Sequence, residues 1–132
     1  MPKKLSRKKL IEKLDSIFSK YIRLRDADKE GYCRCVTCGQ KYHWKKIQAG
    51  HFISRKHYSV RWNEENVHAQ CVACNVFRSG EQYKYSLFLG NETSLDLLNK
   101  SREMVKFADY ELEDMIKLYK EKIDSLDSFV GT

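Results

Sequence analysis

The chain has 132 residues and a formal net charge of +7, a length that suits one modest domain and excludes two ordinary hydrophobic cores. Its apolar runs are only a few residues long, which excludes a membrane span or a secretion signal and predicts a cytoplasmic protein without a membrane partner. Residues 1–80 hold 18 Lys and Arg against 7 Asp and Glu, whereas residues 81–132 hold 7 against 11, so we expect a polyanion to meet the first part of the chain.

The predicted elements alternate between helices and short strands. Residues 5–28 carry apolar side chains at the helical period and predict an amphipathic helix with a basic outer face. Two short strands are expected, one within KKIQAGHFI and one at 67–70, and a helix begins near 74–78. The stretch EQYKYSLFL suits a helix or an extended segment, and two further helices are expected at 94–100 and 109–126.

Five cysteines occur in this short chain, and four of them form two Cys-x-x-Cys pairs. The pairs are Cys35 with Cys38 and Cys71 with Cys74. In a reducing cytosol such short spacings favour metal ligands over disulfides, and four thiolates complete the tetrahedral shell of one structural zinc ion. The alternative, that these are buried free thiols, would require both Cys-x-x-Cys spacings to have arisen by chance. Cys33 either replaces a ligand or is a bystander thiol, and the second role is favoured because the shell is already complete.

Between and directly after the cysteine pairs, polar side chains follow a recognisable order. His51 ends the first expected strand, Asn66 lies five residues before Cys71, and Asn75 follows Cys74 directly. This order resembles the HNH, or His-Me finger, nucleases, in which a strand, a loop, a strand and a helix surround one divalent cation. The phrases QAGHFISR, RWNEENVHAQCVACN and SGEQYKYSL are more specific, and they resemble the lambdoid-phage NinG/Rap family of recombination nucleases.

The resemblance implies a role for each of these polar residues. His51 would be the general base that activates water, since a neutral imidazole accepts a proton near physiological pH. Asn66 would fix the loop or the tilt of the His51 ring, and Asn75 would bind a catalytic Mg²⁺ or Mn²⁺ ion. The same resemblance implies branched DNA, of the Holliday junction or D-loop type, as the substrate.

The implied cation site is incomplete at position 50. The related nucleases usually carry an Asp just before the histidine as a first metal ligand, and here that residue is Gly50. Three repairs are open. Water could complete the shell, or His51 could itself bind the metal while another group serves as base. The third is an acidic side chain from elsewhere in the chain: Glu64, Glu65 or Glu81.

Basic residues near the expected strands suit phosphate contacts. Singly, each would be an ordinary solvated charge, but together they are dense enough to predict a DNA surface. They are Lys45, Lys46, Arg55, Lys56, Arg61 and Arg78. His57 and His68 are second-rank candidates for base or ligand.

We therefore predict an α+β fold in one compact domain: a basic helix (1–30), a zinc-stapled ββα-metal (HNH) nuclease core (31–90) and a C-terminal helical extension (91–132). The expected function is a metal-dependent, structure-selective DNA endonuclease. The apolar faces of the first and last helices either pack on each other or form a homodimer, which would supply two nicks at a junction. The alternatives are a non-catalytic zinc module that binds nucleic acid and a sequence-reading nuclease of the homing or restriction type.

Overall fold

The computed structural model describes residues 4–127, which contain five α-helices and four short strands. The predicted extension 91–132 therefore ends outside the described residues. In chain order the elements are α1 (Arg7–Arg25), β1 (Tyr32–Arg34), β2 (Lys41–His43), a 3₁₀ turn (Trp44–Lys46), β3 (Gln48–His51), α2 (Tyr58–Arg61), β4 (Val67–Gln70), a π-helical turn (Ala73–Phe77), α3 (Gln82–Leu89), α4 (Asn91–Ser101) and α5 (Asp109–Asp127). No helix within 4–127 has the length and apolar character to cross a membrane.

The amphipathic N-terminal segment forms α1, as the sequence predicts. Ser6 caps it, because its Oγ accepts from the Lys9 N–H over 3.3 Å. The buried stripe of α1 packs on α5, where the Tyr119 ring meets Phe18 edge to face with centroids 4.9 Å apart. The two helices thus bury each other's apolar stripes. The homodimer stays a prediction, but it is not needed to bury these stripes.

Two antiparallel hairpins form the β part of the fold. β1 pairs with β2, and β3 pairs with β4, where Gln48 lies opposite Gln70 and His51 opposite Val67. The sequence predicts β3 and β4 but not β1 and β2, because three-residue strands are too short to show an alternating pattern. The turn between β1 and β2 holds the first cysteine pair.

The segment that follows β4 contains helices joined by short irregular connections. The π-helical turn comes first, and the undecided stretch at 81–89 is largely helix α3. A second small core joins α3 and α4 to the loop after β3, formed by Phe52, Ile53, Val60, Tyr85 and Leu97. The β3–β4 hairpin is therefore packed on α1 on one side and connected to this helical pair on the other.

Candidate functional site

The sulfur atoms of the two Cys-x-x-Cys pairs meet at one point. All four lie within 4.8 Å of one another, and Cys38 Sγ is 3.8 Å from Cys71 Sγ. Tetrahedral zinc with Zn–S bonds of about 2.3 Å requires sulfur–sulfur separations of about 3.8 Å. The predicted ligands could therefore hold one zinc ion: Cys35, Cys38, Cys71 and Cys74. Within 4–127 they are the only group of three or more His, Cys, Asp or Glu side chains placed to bind a metal.

Hydrogen-bond donors around the Cys35 sulfur favour its thiolate, whereas burial raises the pKa of Cys38 and of Cys74. Burial acts to raise the pKa of Cys35, but donors that include the Thr37 hydroxyl and the Cys71 N–H bring it down to about 6. The Cys71 nitrogen lies 3.3 Å from Cys35 Sγ, and Arg78 Nη1 lies 3.8 Å from Cys74 Sγ. Donors of this kind orient and stabilise metal-bound sulfur.

Cys33 stands apart from the cluster, as expected for a bystander thiol. It is fully buried in β1, and its thiol donates to the carbonyl oxygen of Arg23 over 3.0 Å. Burial raises its pKa to about 12. Cys33 is therefore a neutral core side chain at physiological pH.

The ring of His51, at the end of β3, is held by a single backbone contact. Its Nε2 lies 2.9 Å from the carbonyl oxygen of Arg61. A carbonyl oxygen can only accept, so Nε2 carries the proton, and in the neutral ring Nδ1 keeps its lone pair. Burial lowers the pKa of His51 below the ordinary 6.5, although the bond to Arg61 acts in the other direction. The ring is therefore neutral at neutral pH, with Nδ1 able to accept a proton.

Asn66 is fully buried and braces the loop between β3 and β4. Its Oδ1 accepts from the Ile53 N–H at 2.8 Å, and its Nδ2 donates to the carbonyl oxygens of Ile53 and Val60, each at 3.0 Å. Val60 directly precedes Arg61, whose carbonyl holds the His51 ring. Asn66 thus supports the backbone on which that ring rests and does not itself line the cavities described below; its part in catalysis stays a prediction.

Asn75 lies in the π-helical turn, directly after Cys74. Its Nδ2 donates to Gln48 Oε1 over 2.8 Å, which fixes the amide and leaves Oδ1 without a hydrogen bond among residues 4–127. Gln48 begins the strand that His51 ends. The cysteine cluster therefore positions Asn75, and β3 positions both its hydrogen-bond partner and His51.

His51 and Asn75 line the same surface cavity, which has a volume of about 580 Å³. Both also line a smaller neighbouring cavity. Helix α1 contributes to the larger one, whose polar lining consists of Asp15, Ser19, Arg23, Gln48, His51, Arg55 and Asn75. Two guanidinium groups beside an imidazole and an amide make this cavity suitable for a phosphate group.

The strand position before His51 has no room for an aspartate. A Cβ atom at Gly50 would lie 2.8 Å from the Cβ of Gln70 and closer still to Gln70 Oε1. The Gly50 carbonyl also accepts from the buried Tyr85 hydroxyl over 2.6 Å, which holds the strand in place. Glycine is therefore required here by packing.

None of the three expected acidic replacements lines either cavity. Glu64 is bonded to Lys122 at 3.0 Å, Glu81 pairs with Lys84 at 3.7 Å, and Glu65 is exposed. The carboxylate that does line the larger cavity is Asp15 on α1. The sequence did not predict Asp15 as a site residue, because the polar face of an amphipathic helix does not show which residues it will contact in the folded protein.

The sequence profile of the family described as "Bacteriophage Lambda NinG protein" matches residues 2–128. The chain belongs to the NinG family. It is 26% identical to protein ninG of Escherichia phage 933W over 122 residues, which is 88% of this chain and 57% of that protein. It is 33% identical over 82 residues to protein ninG of Escherichia phage lambda, and 32% identical over 82 residues to that of Salmonella phage P22, in each case 60% of this chain and 37% of the relative. The matches thus span 37% to 57% of these relatives, and no solved structure matches the chain.

Most of the basic side chains that the sequence predicts as DNA contacts are exposed in this NinG-family chain. The exposed ones are Lys45, Lys46, Arg55, Lys56 and Arg78. Arg61 is different: its side chain is only 14% exposed and pairs with Asp15 at 2.5 Å. Its guanidinium is already occupied within the fold, so we leave Arg61 out of the DNA surface proposed below.

Two half-buried basic residues of α1, Lys20 and Arg23, lie beside this exposed set and were missed in the sequence. Lys20, Arg23 and Lys45 approach the Trp44 ring at 5.8, 5.5 and 5.6 Å from its centroid. Arg23 also lines the larger cavity. Trp44 is thus a buried side chain whose ring is approached by three cationic groups. One of them, Arg23, also lines the cavity, so exposed Lys45 lies near it.

The competing histidines do not line either cavity. His68 Nδ1 lies 3.3 Å from the Tyr85 hydroxyl oxygen, and burial lowers the pKa of His68 to about 4. His57 is exposed and directly precedes α2. His51 is therefore the histidine that meets Asn75 in this NinG-family chain.

Proposed function

We propose that this NinG-family chain is a metal-dependent DNA endonuclease of the HNH type that acts on branched DNA. The observation that carries the proposal is the His51 ring: its Nε2 proton is fixed on the Arg61 carbonyl, so Nδ1 keeps its lone pair beside a cavity that Arg23 and Arg55 also line. A neutral imidazole next to a phosphate-binding cavity suits a general base that activates water.

In the proposed reaction, His51 Nδ1 takes a proton from a water molecule. The oxygen of that water bonds to phosphorus while the bond from phosphorus to the 3′ oxygen breaks. The 3′ oxygen takes a proton from solvent, so the products are a 5′ phosphate and a 3′ hydroxyl. Arg23 Nε and Nη1 already donate to the Ser19 and Trp44 carbonyls. In the proposal Arg55, together with the remaining guanidinium nitrogen of Arg23, binds phosphate oxygens and holds the phosphorus in line with the attacking water.

A divalent cation, Mg²⁺ or Mn²⁺, belongs to this proposal, and when bound it neutralises charge on the phosphate and the leaving oxygen. Asn75 Oδ1 is an oxygen donor at the cavity that has no hydrogen bond among residues 4–127, while the carboxylate of Asp15 is held by Arg61. This donor set fits a cation that keeps much of its water and gains oxygen ligands from the substrate phosphate. In this proposal Asn75 would be the protein ligand, and water would supply the ligand that no side chain at Gly50 can provide.

The zinc ion in this proposal is structural. Four cysteine sulfurs fill a tetrahedral shell and leave no position for substrate. When bound by the four cysteines, it would hold the β1–β2 turn against the π-helical turn, and so fix Asn75, which directly follows Cys74.

The choice of branched DNA is supported by the resemblance to the NinG/Rap nucleases and by the kind of contacts that the surface offers. Exposed lysines and arginines contact phosphates, which position a duplex but carry no sequence information. We therefore propose selection by DNA shape with weak sequence preference.

The test is a nicking assay with a four-way junction, a D-loop and a linear duplex of the same sequences. Wild-type protein with Mg²⁺ or Mn²⁺ should cut the branched substrates, and EDTA should stop the reaction. His51→Ala should abolish cutting, whereas His57→Ala, which removes an exposed loop histidine, should leave it unchanged. Equal rates for wild type and His51→Ala would overturn the mechanism, and site-specific cutting of the linear duplex would favour a sequence-reading nuclease.

A non-catalytic zinc module is the second candidate, and Gly50 is the observation that favours it, because no carboxylate can occupy that position. This reading predicts that zinc-loaded protein binds the junction with no cutting in Mg²⁺ or Mn²⁺. The same assay separates the two candidates.

A further inference from the structure

We propose that Asp15, on helix α1, is a positioning residue that sets the orientation of His51 through Arg61. The inference rests on the proposed function and extends it to a helix outside the HNH-like segment. The relay has two links: the Asp15 carboxylate holds the Arg61 side chain, and the Arg61 backbone carbonyl holds the His51 ring.

The first link is a bidentate ion pair. Asp15 Oδ1 accepts from Arg61 Nε at 3.1 Å, and Asp15 Oδ2 accepts from Arg61 Nη2 at 2.5 Å. The Trp62 indole nitrogen adds a third bond, to Asp15 Oδ1, at 3.0 Å. The carboxylate is 20% exposed, so solvent screens the pair only in part. Two consecutive residues at the end of α2, Arg61 and Trp62, are thus held by one side chain of α1.

The second link is the bond between the His51 ring and the Arg61 carbonyl, and the position of that carbonyl depends on Asp15 because α2 is short. Arg61 ends the four-residue helix α2, which is not long enough to fix its own last carbonyl. That carbonyl accepts from His51 Nε2 at 2.9 Å. The Arg61 guanidinium also donates to the Arg55 carbonyl at 2.9 Å and lies over the Tyr58 ring, 5.0 Å from its centroid. Without Asp15, the bidentate hold on Arg61 is lost, and the carbonyl gains freedom to move away from the ring.

Asp15 also balances charge at the cavity. Arg55 Nη1 lies 3.7 Å from Asp15 Oδ2, and Arg61 pairs with the same carboxylate. His51 becomes an imidazolium when it takes the proton from water, and two unbalanced guanidinium groups nearby would oppose that charge. The carboxylate therefore assists the proton transfer without touching the substrate.

The experiment measures Asp15→Asn in the zinc-loaded full chain, with Glu12→Gln as the matched control. Glu12 is an acidic residue of the same helix, and among residues 4–127 its one ion pair is a 4.0 Å contact with exposed Lys9. Asp15→Asn should lower kcat for junction cutting about 10- to 100-fold with KM changed less than about threefold, because misplaced reacting groups cost rate and not binding. Glu12→Gln should leave both constants unchanged, and Asp15→Glu should restore part of kcat.

A further measurement separates positioning from metal binding. The Mg²⁺ concentration for half-maximal rate should be the same in Asp15→Asn and wild type; a rise of about tenfold or more would make Asp15 a metal ligand and overturn the proposal. An unchanged kcat in Asp15→Asn would also overturn the proposal.

A readout without activity keeps this inference distinct from the proposed function. The ring nitrogens of ¹⁵N-labelled His51 should show a proton on Nε2 in wild type and in Glu12→Gln, and a mixture of tautomers in Asp15→Asn. A pure Nε2–H tautomer in Asp15→Asn would overturn the relay. Absence of cutting by the wild type, with the tautomer change still present, would instead reject the endonuclease and leave the relay standing.

Discussion

Gly50 and Gln70 share the space between neighbouring strands so tightly that no side chain fits at position 50. A Cβ atom there would lie 2.8 Å from the Cβ of Gln70. Gln70 cannot easily move away, because its fully buried amide donates to Thr37 Oγ1 at 3.1 Å and to the Gly80 carbonyl at 2.8 Å. Position 50 therefore has no room for an aspartate, because hydrogen bonds from Gln70 to Thr37 and Gly80 hold the Gln70 side chain in that space.

Gly50→Ala should therefore lower the free energy of unfolding by about 1–3 kcal/mol, the usual cost of overpacking. Urea denaturation of the zinc-loaded protein measures it. In a Gln70→Ala background the same substitution should cost less, because the side chain that it meets is gone. Equal costs in the two backgrounds would rule out the clash with Gln70 as the cause.

The protein should lose bound zinc when a cysteine of the four-sulfur cluster is replaced, and should keep it when the fifth cysteine is replaced. Cys71→Ser removes a predicted ligand, so we expect the zinc content to fall below one ion per chain and the Tm to drop. Cys33→Ser is the matched control, since this buried thiol lies outside the cluster and donates to the Arg23 carbonyl. It should keep one zinc per chain. Loss of zinc from Cys33→Ser would contradict the assignment of ligands.

Local signals account for the parts of the fold that could be predicted. Each Cys-x-x-Cys pair is a short motif with one dominant reading, so the sequence was enough to group Cys35 and Cys38 with Cys71 and Cys74. The helical period of α1 and α5 and the position of β4 were likewise visible in short windows. The stretch that became α3 was not, because its exposed and buried aromatics follow no clear period.

The parts of the candidate site that could not be predicted depend on long-range packing. Asp15 and Arg61 are 46 positions apart in the chain, and only the docking of α1 on the loop brings them together. The space at Gly50 is filled by a residue of the opposite strand, so its cause appears only when β3 and β4 are paired. A single sequence contains neither relationship in any window.

The rate of DNA cutting should depend on pH through His51. The proposed base must be neutral, so the rate should rise as pH rises through the pKa of His51 and then level off. Burial holds that pKa below 6.5, so the rate should be half-maximal below pH 6.5, and activity should be lost as pH falls further. The measurement is kcat between about pH 5 and 8. His57→Ala should give the same curve, and a half-maximal point above pH 7 would argue against His51 as the base.

Glu64 should matter for stability and not for catalysis. Its carboxylate accepts from the Tyr21 hydroxyl at 2.8 Å, the Tyr119 hydroxyl at 3.1 Å and Lys122 at 3.0 Å, and so joins α1, α5 and the loop. Glu64→Gln should lower the free energy of unfolding by about 1–2 kcal/mol, a value reduced by partial exposure. Exposed Glu65 is the control, and Glu65→Gln should have little effect on unfolding.

The pH dependence of that contribution has a definite sign. Burial acts to raise the pKa of Glu64, but the bonds from Lys122 and the two tyrosines lower it below 4.5 overall. Stability from this group is therefore present above pH 4.5 and is lost as pH falls through the lowered pKa. Glu64→Gln should keep the wild-type rate of cutting; loss of cutting in a folded Glu64→Gln protein would instead make Glu64 a metal ligand.

Binding to DNA should fall steeply with salt, because the proposed surface contacts phosphates. Lys45 and Lys46 are exposed next to Trp44, which Arg23 of the cavity also approaches. Replacing both lysines with Gln should weaken junction binding and make the slope of log K against log salt shallower by about one per lysine lost. The measurement is a titration of catalytically inactive His51→Ala protein with labelled junction at several salt concentrations.

A charge-matched control distinguishes a local contact from the general effect of net charge. Lys117 and Lys120 are exposed on α5, in the acidic part of the chain, and replacing both with Gln removes the same two charges. If the cavity side of the molecule binds DNA, the α5 pair should leave the salt slope close to that of the wild type. An equal change in slope for both double variants would mean that binding follows net charge alone, and the surface around Trp44 and Arg23 would lose its assignment.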